Sequence, residues 1–148
     1  MAKWYGSVTN RLEEDRMYCD EIKVGTGVTE YSWSDRHPFE VVEVIDQKHV
    51  WVRGMDHKPA GPCYSNEWEL ISDPTKPLRL LVKRGKYWYW SDTVTKADLD
   101  KAKSPYDLMC VCMGGFDPEK IRSKGKMTKL TRAHVSFGVA EYYYDYEF

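Results

Sequence analysis

Residues 39–53, FEVVEVIDQKHVWVR, decide the fold class. They contain two runs rich in β-branched and aromatic residues, 39–46 and 49–53, interrupted by the polar pair Gln47-Lys48. Such runs are typical of strands, and a short polar segment between them is typical of a turn. The apolar positions of the first run do not alternate strictly, which indicates burial on both faces or a β-bulge.

The rest of the chain repeats this pattern at short intervals. Further β-rich runs with turn residues between them lie at 28–33, 63–71, 78–84, 86–90 and 128–139. Runs 78–84 and 86–90 are predicted to form a hairpin that turns at Gly85. Several short strands at close spacing favour a small, strongly bent sheet or an SH3-like barrel. We predict an α+β fold that is mainly β, either a small bent antiparallel sheet or an SH3-like barrel, with a few short helices.

Helices are predicted where capping residues precede a polar run. Asn10 and Glu13 form a capping-box pattern that predicts a helix near 11–19. Thr95, three residues before an acidic side chain, predicts a helix ended by Ser104-Pro105, and Asp117-Pro118 predicts a helix to about residue 122.

The length of the chain limits the number of domains. At 148 residues it is predicted to form one domain, 1–148, long enough to bury a core. The segment 92–127, which carries the later helix signals, is predicted to be a helical insertion into that domain.

Composition excludes some functions and favours others. The 22 basic and 23 acidic residues give a formal net charge of -1, which argues against bulk nucleic-acid binding. No apolar run resembles a signal peptide or a membrane span, so a cytoplasmic location is expected. Aromatic residues make up 14% of the chain, which favours a β-rich binding module because aromatics dominate interfaces and stacking sites.

Motifs for catalysis are missing from the sequence. It contains no nucleophile elbow, no Walker loop and no HExxH, so we predict that the protein is not an enzyme and has no catalytic residues and no cofactor. Cys110 and Cys112 have only a weak zinc spacing; in a strand they would share one face, and small buried thiols are the favoured interpretation. No metal site is predicted.

Two motifs near the N-terminal end invite a functional interpretation. The run Gly25, Thr26 and Gly27 lacks the third glycine of a dinucleotide fingerprint, so a turn with positive φ is favoured over a backbone nest for phosphate. In the run 34–37 (SDRH), Ser and Asp favour a capped turn, and Pro38 forces the preceding histidine into an extended conformation. Arg36 is the side chain of this turn that is predicted to serve a ligand.

Aromatic and arginine side chains supply the remaining candidates. Trp51 and Arg53 share one strand face opposite two valines, and they either stack a base and hold a phosphate or form a surface cation–π pair. Tyr87 and Tyr89 alternate with two tryptophans, so one face is predicted to be core and the other a stacking or dimer surface. The tail 142–148, YYYDYEF, is predicted to pack on the domain or on a partner chain.

The run 24–44, VGTGVTEYSWSDRHPFEVVEV, followed by HVWVR, LRLLVKRGKYWYW and a terminal SFGVAEYYYDYEF, resembles small proteins of Firmicutes phages and prophages. The resemblance covers about two-thirds of the chain and leaves out the N-terminal arm and 92–127. The group is identified as including the phage anti-Thoeris sponge proteins. The resemblance implies an anti-defence protein that sequesters, without cleavage, a nucleotide-derived second messenger such as cyclic ADP-ribose or a cyclic oligonucleotide, in the bacterial host cell.

The resemblance also implies a homo-oligomer with ligand sites between protomers. Relatives carry a basic residue where this chain has Ala140, so Arg53 or Arg132 is expected to hold the phosphate, and Glu141 to accept hydrogen bonds from a ribose or adenine. The alternative partner is a defence nuclease, inhibited by an anti-CRISPR type of protein through its aromatic surface.

Overall fold

The computed structural model describes residues 16–32, 35–62, 65–113 and 115–144. These residues form two compact units. Unit 1 takes the described residues up to Tyr89 and from Arg132 onward, and unit 2 takes Trp90–Thr131. The predicted insertion 92–127 lies within unit 2.

The protein is mainly β, as the sequence predicts. The strands are β1 (Gly27–Ser32), β2 (Asp35–Asp46), β3 (His49–Pro59), β4 (Trp68–Ser72), β5 (Leu78–Arg84), β6 (Tyr87–Thr95), β7 (Lys126–Ala133) and β8 (Val135–Gly138). Seven of them follow the order β7-β6-β5-β3-β2-β1-β8, and β4 pairs with the outer part of β3. This path is open, so of the two predicted architectures the bent antiparallel sheet is the one observed.

The 39–53 stretch forms the centre of this sheet. β2 and β3 pair in antiparallel register around the turn at Gln47-Lys48. The register shifts between Val41 and Glu43 and again between Val44 and Asp46, which is the predicted irregularity. Strand β3 is longer than the run 49–53 because its second half pairs with β4.

The core of unit 1 follows from strand alternation. Val50 and Val52 have no exposed surface and face the core with Leu81, which lies opposite Val50 on β5. Trp88 of β6 packs against Phe137 of β8, with ring centroids 4.6 Å apart. Because β6 and β8 lie five positions apart in the strand order, this contact requires a bent sheet.

The predicted closing strand 128–139 is interrupted. β7 ends at Ala133 and β8 begins at Val135, and these strands lie at opposite ends of the strand order. His134 joins them, and its carbonyl oxygen accepts from the backbone N–H of Tyr31 at 2.8 Å. The interruption at His134 therefore divides what the sequence presents as one continuous run.

The predicted N-terminal helix is wrong over its described part. Residues 11–15 lie outside the described ranges, and residues 16–19 are not helical. Met17 instead bridges Phe137, whose carbonyl oxygen accepts from the Tyr18 N–H at 2.7 Å. Pairing with the outer edge of β8 satisfies backbone groups that a helix would have satisfied internally.

Unit 2 contains three short helices, α1 (Lys96–Asp100), α2 (Pro105–Val111) and α3 (Pro118–Lys124). The predicted capping box of Thr95 and Asp98 is present, and Asp117 caps α3 as predicted. Ser104, which was predicted to end a helix, instead caps the start of α2, because Ser-Pro suits the N-cap and first helical position. The helices pack Leu99 and Ile121 against Val94.

The cysteines of unit 2 differ from the prediction. They were expected to be small buried thiols, but Cys110 near the end of α2 is exposed and Cys112 at its C-cap is half-buried. Helical geometry separates residues two apart, so the two thiols do not share a face.

Candidate functional site

A groove of about 330 Å³ lies in unit 1, where the C-terminal segment 139–144 crosses the other strands. Its polar and aromatic lining consists of Arg36, Asn66, Trp68, Glu141, Tyr142 and Tyr143. Arg36 comes from the start of β2, and Trp68 comes from the start of β4. The groove therefore combines side chains from three distant parts of the chain.

Arg36 and Glu141 form an ion pair at one wall of the groove. The Arg36 side chain is only 15% exposed, whereas that of Glu141 is 42% exposed. Arg36 also holds the C-terminal segment through its backbone: its N–H donates to the Tyr143 carbonyl at 2.9 Å, and its carbonyl accepts from the Tyr143 N–H at 3.0 Å. The guanidinium carbon lies 5.5 Å from the centroid of the Tyr31 ring, directly across the β1–β2 pair.

Trp68 and Tyr142 line the groove as members of a cluster of aromatic rings. Tyr142 stacks on His57 with centroids 3.6 Å apart, and Trp68 lies nearly perpendicular to both rings, with its centroid 4.6 Å from Tyr142 and 5.2 Å from His57. The β3–β4 register places Trp68 opposite Pro59, two residues from His57, so these two side chains are diagonal neighbours on one face. The His37 ring lies 6.2 Å from Tyr142 on another side.

The electrostatics of this cluster favour a neutral imidazole. Burial is the main cause that lowers the pKa of His57, and the nearby charges of Lys76 and His37 act in the same direction. Asp56 opposes them. A neutral ring can stack on Tyr142 without the cost of desolvating a cation.

Asn66 lines the groove and bonds two of the segments that form it. Its backbone has a φ of 55°, in the left-handed region that asparagine tolerates better than most residues. The Oδ1 atom accepts from Trp68 Nε1 at 3.1 Å and from the Tyr144 N–H at 2.9 Å. One amide oxygen therefore orients the tryptophan ring and holds the C-terminal segment.

Two of the residues predicted to bind a ligand, Arg36 and Glu141, meet in this groove. Trp51 and Arg53 do not line it. They share the face opposite Val50 and Val52, as predicted, but Arg53 pairs with Glu40 at 3.4 Å across the β2–β3 ladder. Among the described residues, the buried Arg53 Nε finds no hydrogen-bond acceptor.

The glycine run forms a turn and not an open nest. Gly25 has a φ of 91° and donates to the Val41 carbonyl, and the Thr26 N–H donates to the Lys23 carbonyl. Gly27 has a different role. A Cβ at this position would lie 2.5 Å from the backbone nitrogen of Ala140, so the missing side chain lets the C-terminal segment approach β1.

The remaining predicted residues lie elsewhere in unit 1. The Arg132 guanidinium lies over the Tyr87 ring at 4.3 Å and donates to the carbonyls of Trp88 and Ala133. Trp88 is buried and Tyr87 is exposed, as their alternation predicts, and Tyr89 is half-buried. None of the three predicted residues, Arg132, Tyr87 and Tyr89, lines the groove.

Sequence reasoning missed His57, Asn66 and Trp68. The dense aromatics of the tail 142–148 are a signal of this site, because they predict packing on the domain or on a partner chain; of this tail, residues 145–148 lie outside the described ranges. The place where the tail docks depends on contacts between residues far apart in the chain, such as the stack of Tyr142 on His57.

Within the described ranges, no group of three or more His, Cys, Asp or Glu side chains is placed to hold a metal ion. None of the described helices is both long and apolar enough to cross a membrane. Comparison of the chain with protein-family models, curated proteins and solved structures found no match.

Proposed function

We propose that the groove binds a nucleotide-derived signal of the cyclic ADP-ribose or cyclic oligonucleotide type, and that the protein sequesters this signal without cleaving it. One observation carries the proposal. The aromatic wall of Trp68 and Tyr142 shares a groove of about 330 Å³ with the guanidinium of Arg36 and the carboxylate of Glu141.

These groups match the parts of such a ligand. A flat base stacks on aromatic rings, and stacking tolerates any base because every base has a π face. A guanidinium binds phosphate oxygens through two parallel N–H donors, and a carboxylate accepts from sugar hydroxyls. The volume lies at the lower end of the range typical of small-molecule pockets, which suits one nucleoside portion with its phosphate.

The ion pair between Arg36 and Glu141 is compatible with phosphate binding. A guanidinium has five N–H donors in a fixed plane, so Arg36 can donate to Glu141 and to a phosphate at the same time. Glu141 in turn keeps the guanidinium oriented, which reduces the entropy lost when a ligand binds.

Sequestration needs affinity alone. A sponge protein lowers the concentration of a signal by binding it, so the groove needs no nucleophile or general base for this role. We further propose that the protein acts as a phage-encoded anti-defence factor in the bacterial host cytoplasm, and that it forms a homo-oligomer.

Calorimetry with cyclic ADP-ribose tests the proposal. We expect saturable binding that Trp68→Leu weakens, with intact ligand recovered by mass spectrometry after the protein is denatured. Trp51→Leu is the matched control, because Trp51 is another half-buried tryptophan outside the groove. Absence of binding, or recovery of a cleaved nucleotide, contradicts the proposal. Light scattering after size exclusion tests the oligomer.

A specific feature of unit 2 favours a second candidate function, inhibition of a defence nuclease by direct protein binding. Tyr106 and Met109 of α2 and Met113 just beyond it are 69%, 58% and 69% exposed. Exposed apolar side chains in one patch mark interaction surfaces. A cleavage assay with a purified CRISPR nuclease tests this function, and inhibition that Met109→Lys abolishes supports it.

A further inference from the structure

The charges of the chain are distributed unevenly. Its 22 basic and 23 acidic residues nearly cancel, but residues 120–131 contain five basic and no acidic side chains. This run covers the end of α3, Gly125 and most of β7, all within unit 2. Net charge does not describe such local patches, and it is the patches that attract charged partners to a surface.

Three lysines lie around the glycine that ends α3. Gly125 has a φ of 88°, and its N–H donates to the Ile121 carbonyl at 2.7 Å. Its own carbonyl accepts from the Lys96 N–H at 3.0 Å, which brings the start of α1 to this point. Lys124 and Lys126 are its neighbours in the chain, and all three lysine side chains are exposed. A Cβ at Gly125 would meet no described residue within 4 Å, so the surface at the glycine is open.

Further polar side chains extend this surface on both sides. Lys120 is exposed and precedes Lys124 by four residues, so the two lie on the same side of α3. Thr128 follows Lys126 by two residues on β7 and shares its face. The Oγ1 atoms of Thr128 and Thr93 lie 2.8 Å apart, and both residues are exposed. We call this set the lysine surface; it consists of Thr93, Lys96, Lys120, Lys124, Lys126 and Thr128.

The positive charge of this surface is not neutralised by the part of the chain that the structure describes. There, none of its four lysines forms an ion pair with a carboxylate. Lys120 and Lys124 are like charges four residues apart on a helix, and such pairs repel each other. The helix dipole favours a cation in the last turn, as at Lys124, but disfavours one in the first turn, as at Lys96. Helix stability therefore does not account for the cluster.

We propose that the lysine surface binds the phosphodiester backbone of double-stranded DNA, independently of base sequence. Ammonium and hydroxyl groups are among the donors that contact backbone phosphates in protein–DNA complexes. The six residues include no aromatic or large apolar side chain, which the centre of a protein interface contains and which the stacking of single-stranded bases needs. A duplex, with its two closely spaced rows of phosphates, is the partner that matches these donors.

This binding goes beyond the proposed function and does not depend on it. The groove lies in unit 1, whereas every residue of the lysine surface lies in unit 2. Substitutions in the lysine surface should therefore leave the affinity for cyclic ADP-ribose unchanged.

Fluorescence anisotropy with a labelled DNA duplex tests the inference through its salt dependence. Each phosphate contact releases counterions, so the logarithm of the binding constant falls linearly with the logarithm of the salt concentration. If all four lysines contact phosphates, we expect a slope of roughly −3.6, which weakens binding on the order of 100-fold between about 50 and 200 mM KCl. Two duplexes of unrelated sequence should bind equally, and both should bind more tightly than a single strand of the same length.

Variants of the lysine surface assign the contacts. Lys124→Gln and Lys126→Gln should each reduce the magnitude of the slope by about one, because each removes one phosphate contact. Lys124→Arg keeps the charge and should keep the slope. Lys23→Gln is the matched control, because it removes one exposed lysine from unit 1. All of these side chains are exposed, and circular dichroism checks that each variant retains the fold.

Several results would overturn the inference. One is the absence of duplex binding by the native protein at about 50 mM KCl, where phosphate contacts are strong. Another is duplex binding whose slope is the same in Lys124→Gln and Lys126→Gln as in the native protein, because the contacts then lie elsewhere. Tighter binding of the single strand would indicate base stacking instead of a phosphate surface. Binding to phosphatidylglycerol vesicles without binding to DNA would assign the surface to lipid headgroups and contradict the proposal.

Discussion

The imidazole of His57 lies parallel to the phenol ring of Tyr142, with 3.6 Å between centroids and 14° between planes. The two residues come from the β3–β4 hairpin and the C-terminal segment, so their stack fastens that segment to the sheet of unit 1. Tyr142 lines the groove, so this contact positions one of its walls.

The stack makes stability depend on pH. Burial lowers the pKa of His57 below its ordinary value of 6.5. As pH falls through that value, the unfolded chain takes up a proton that the folded protein does not, so the free energy of unfolding falls. This loss continues until the pH reaches the lower pKa of the folded state. The contribution is fully present above pH 6.5.

Urea unfolding at several pH values between 7.5 and 5 measures this effect. His57→Phe keeps a flat ring against Tyr142 and removes the titration, so its midpoint should fall less steeply with decreasing pH. An unchanged slope in the variant would show that other groups cause the acid sensitivity.

Gly27 controls how closely the C-terminal segment approaches β1. A Cβ there would meet the Ala140 nitrogen at 2.5 Å, which is backbone and cannot swing aside. We expect Gly27→Ala to lower the free energy of unfolding by ~1–3 kcal/mol, as overpacking does, and to weaken ligand binding. Gly54→Ala is the matched control, because its Cβ would meet only the flexible Lys76 side chain at 3.4 Å. Equal thermal melting of the two variants would contradict the steric explanation.

The β-sheet was largely predictable because it depends on local patterns. The apolar sequence around Val41 indicated the bulge in β2, and the alternation of Val50 and Val52 indicated the buried face of β3. Capping residues such as Thr95 also act within one turn of the chain, so the start of α1 followed from sequence.

The groove depends on contacts that local patterns do not encode. Arg36 and Glu141 are separated by 105 residues, and both were candidates for separate reasons. Their pairing follows from the interruption at His134, from the pairing of β8 with β1, and from the room that Gly27 leaves. None of these features changes hydrophobic periodicity, so no local pattern links the two residues or adds Trp68 to them.

Substitutions of the two arginine candidates, Arg36 and Arg53, are expected to have different effects. Arg36→Gln should weaken cyclic ADP-ribose binding by ~10- to 100-fold with the fold retained, because it removes a charged donor from the groove. Arg53→Gln should instead lower the free energy of unfolding by ~1–3 kcal/mol, because Glu40 is only 18% exposed and loses its charged partner. Calorimetry and urea unfolding of both variants decide between them. Loss of affinity in Arg53→Gln alone would mean that Arg53 of β3, and not Arg36, binds the phosphate.

Asn66 combines a strained backbone with two hydrogen bonds, and its variants separate these contributions. Asn66→Gly accepts the φ of 55° and loses both bonds. Asn66→Ala loses the same bonds and keeps a Cβ in the left-handed region without the amide that makes asparagine tolerant of it, which costs ~1–2 kcal/mol relative to glycine. Both variants should release the Tyr144 N–H from Oδ1 and weaken ligand binding. Hydrogen exchange of the C-terminal peptide measures this release, and thermal melting measures the additional strain. Unchanged exchange at Tyr144 in the glycine variant would mean that the aromatic stack alone holds the segment in place.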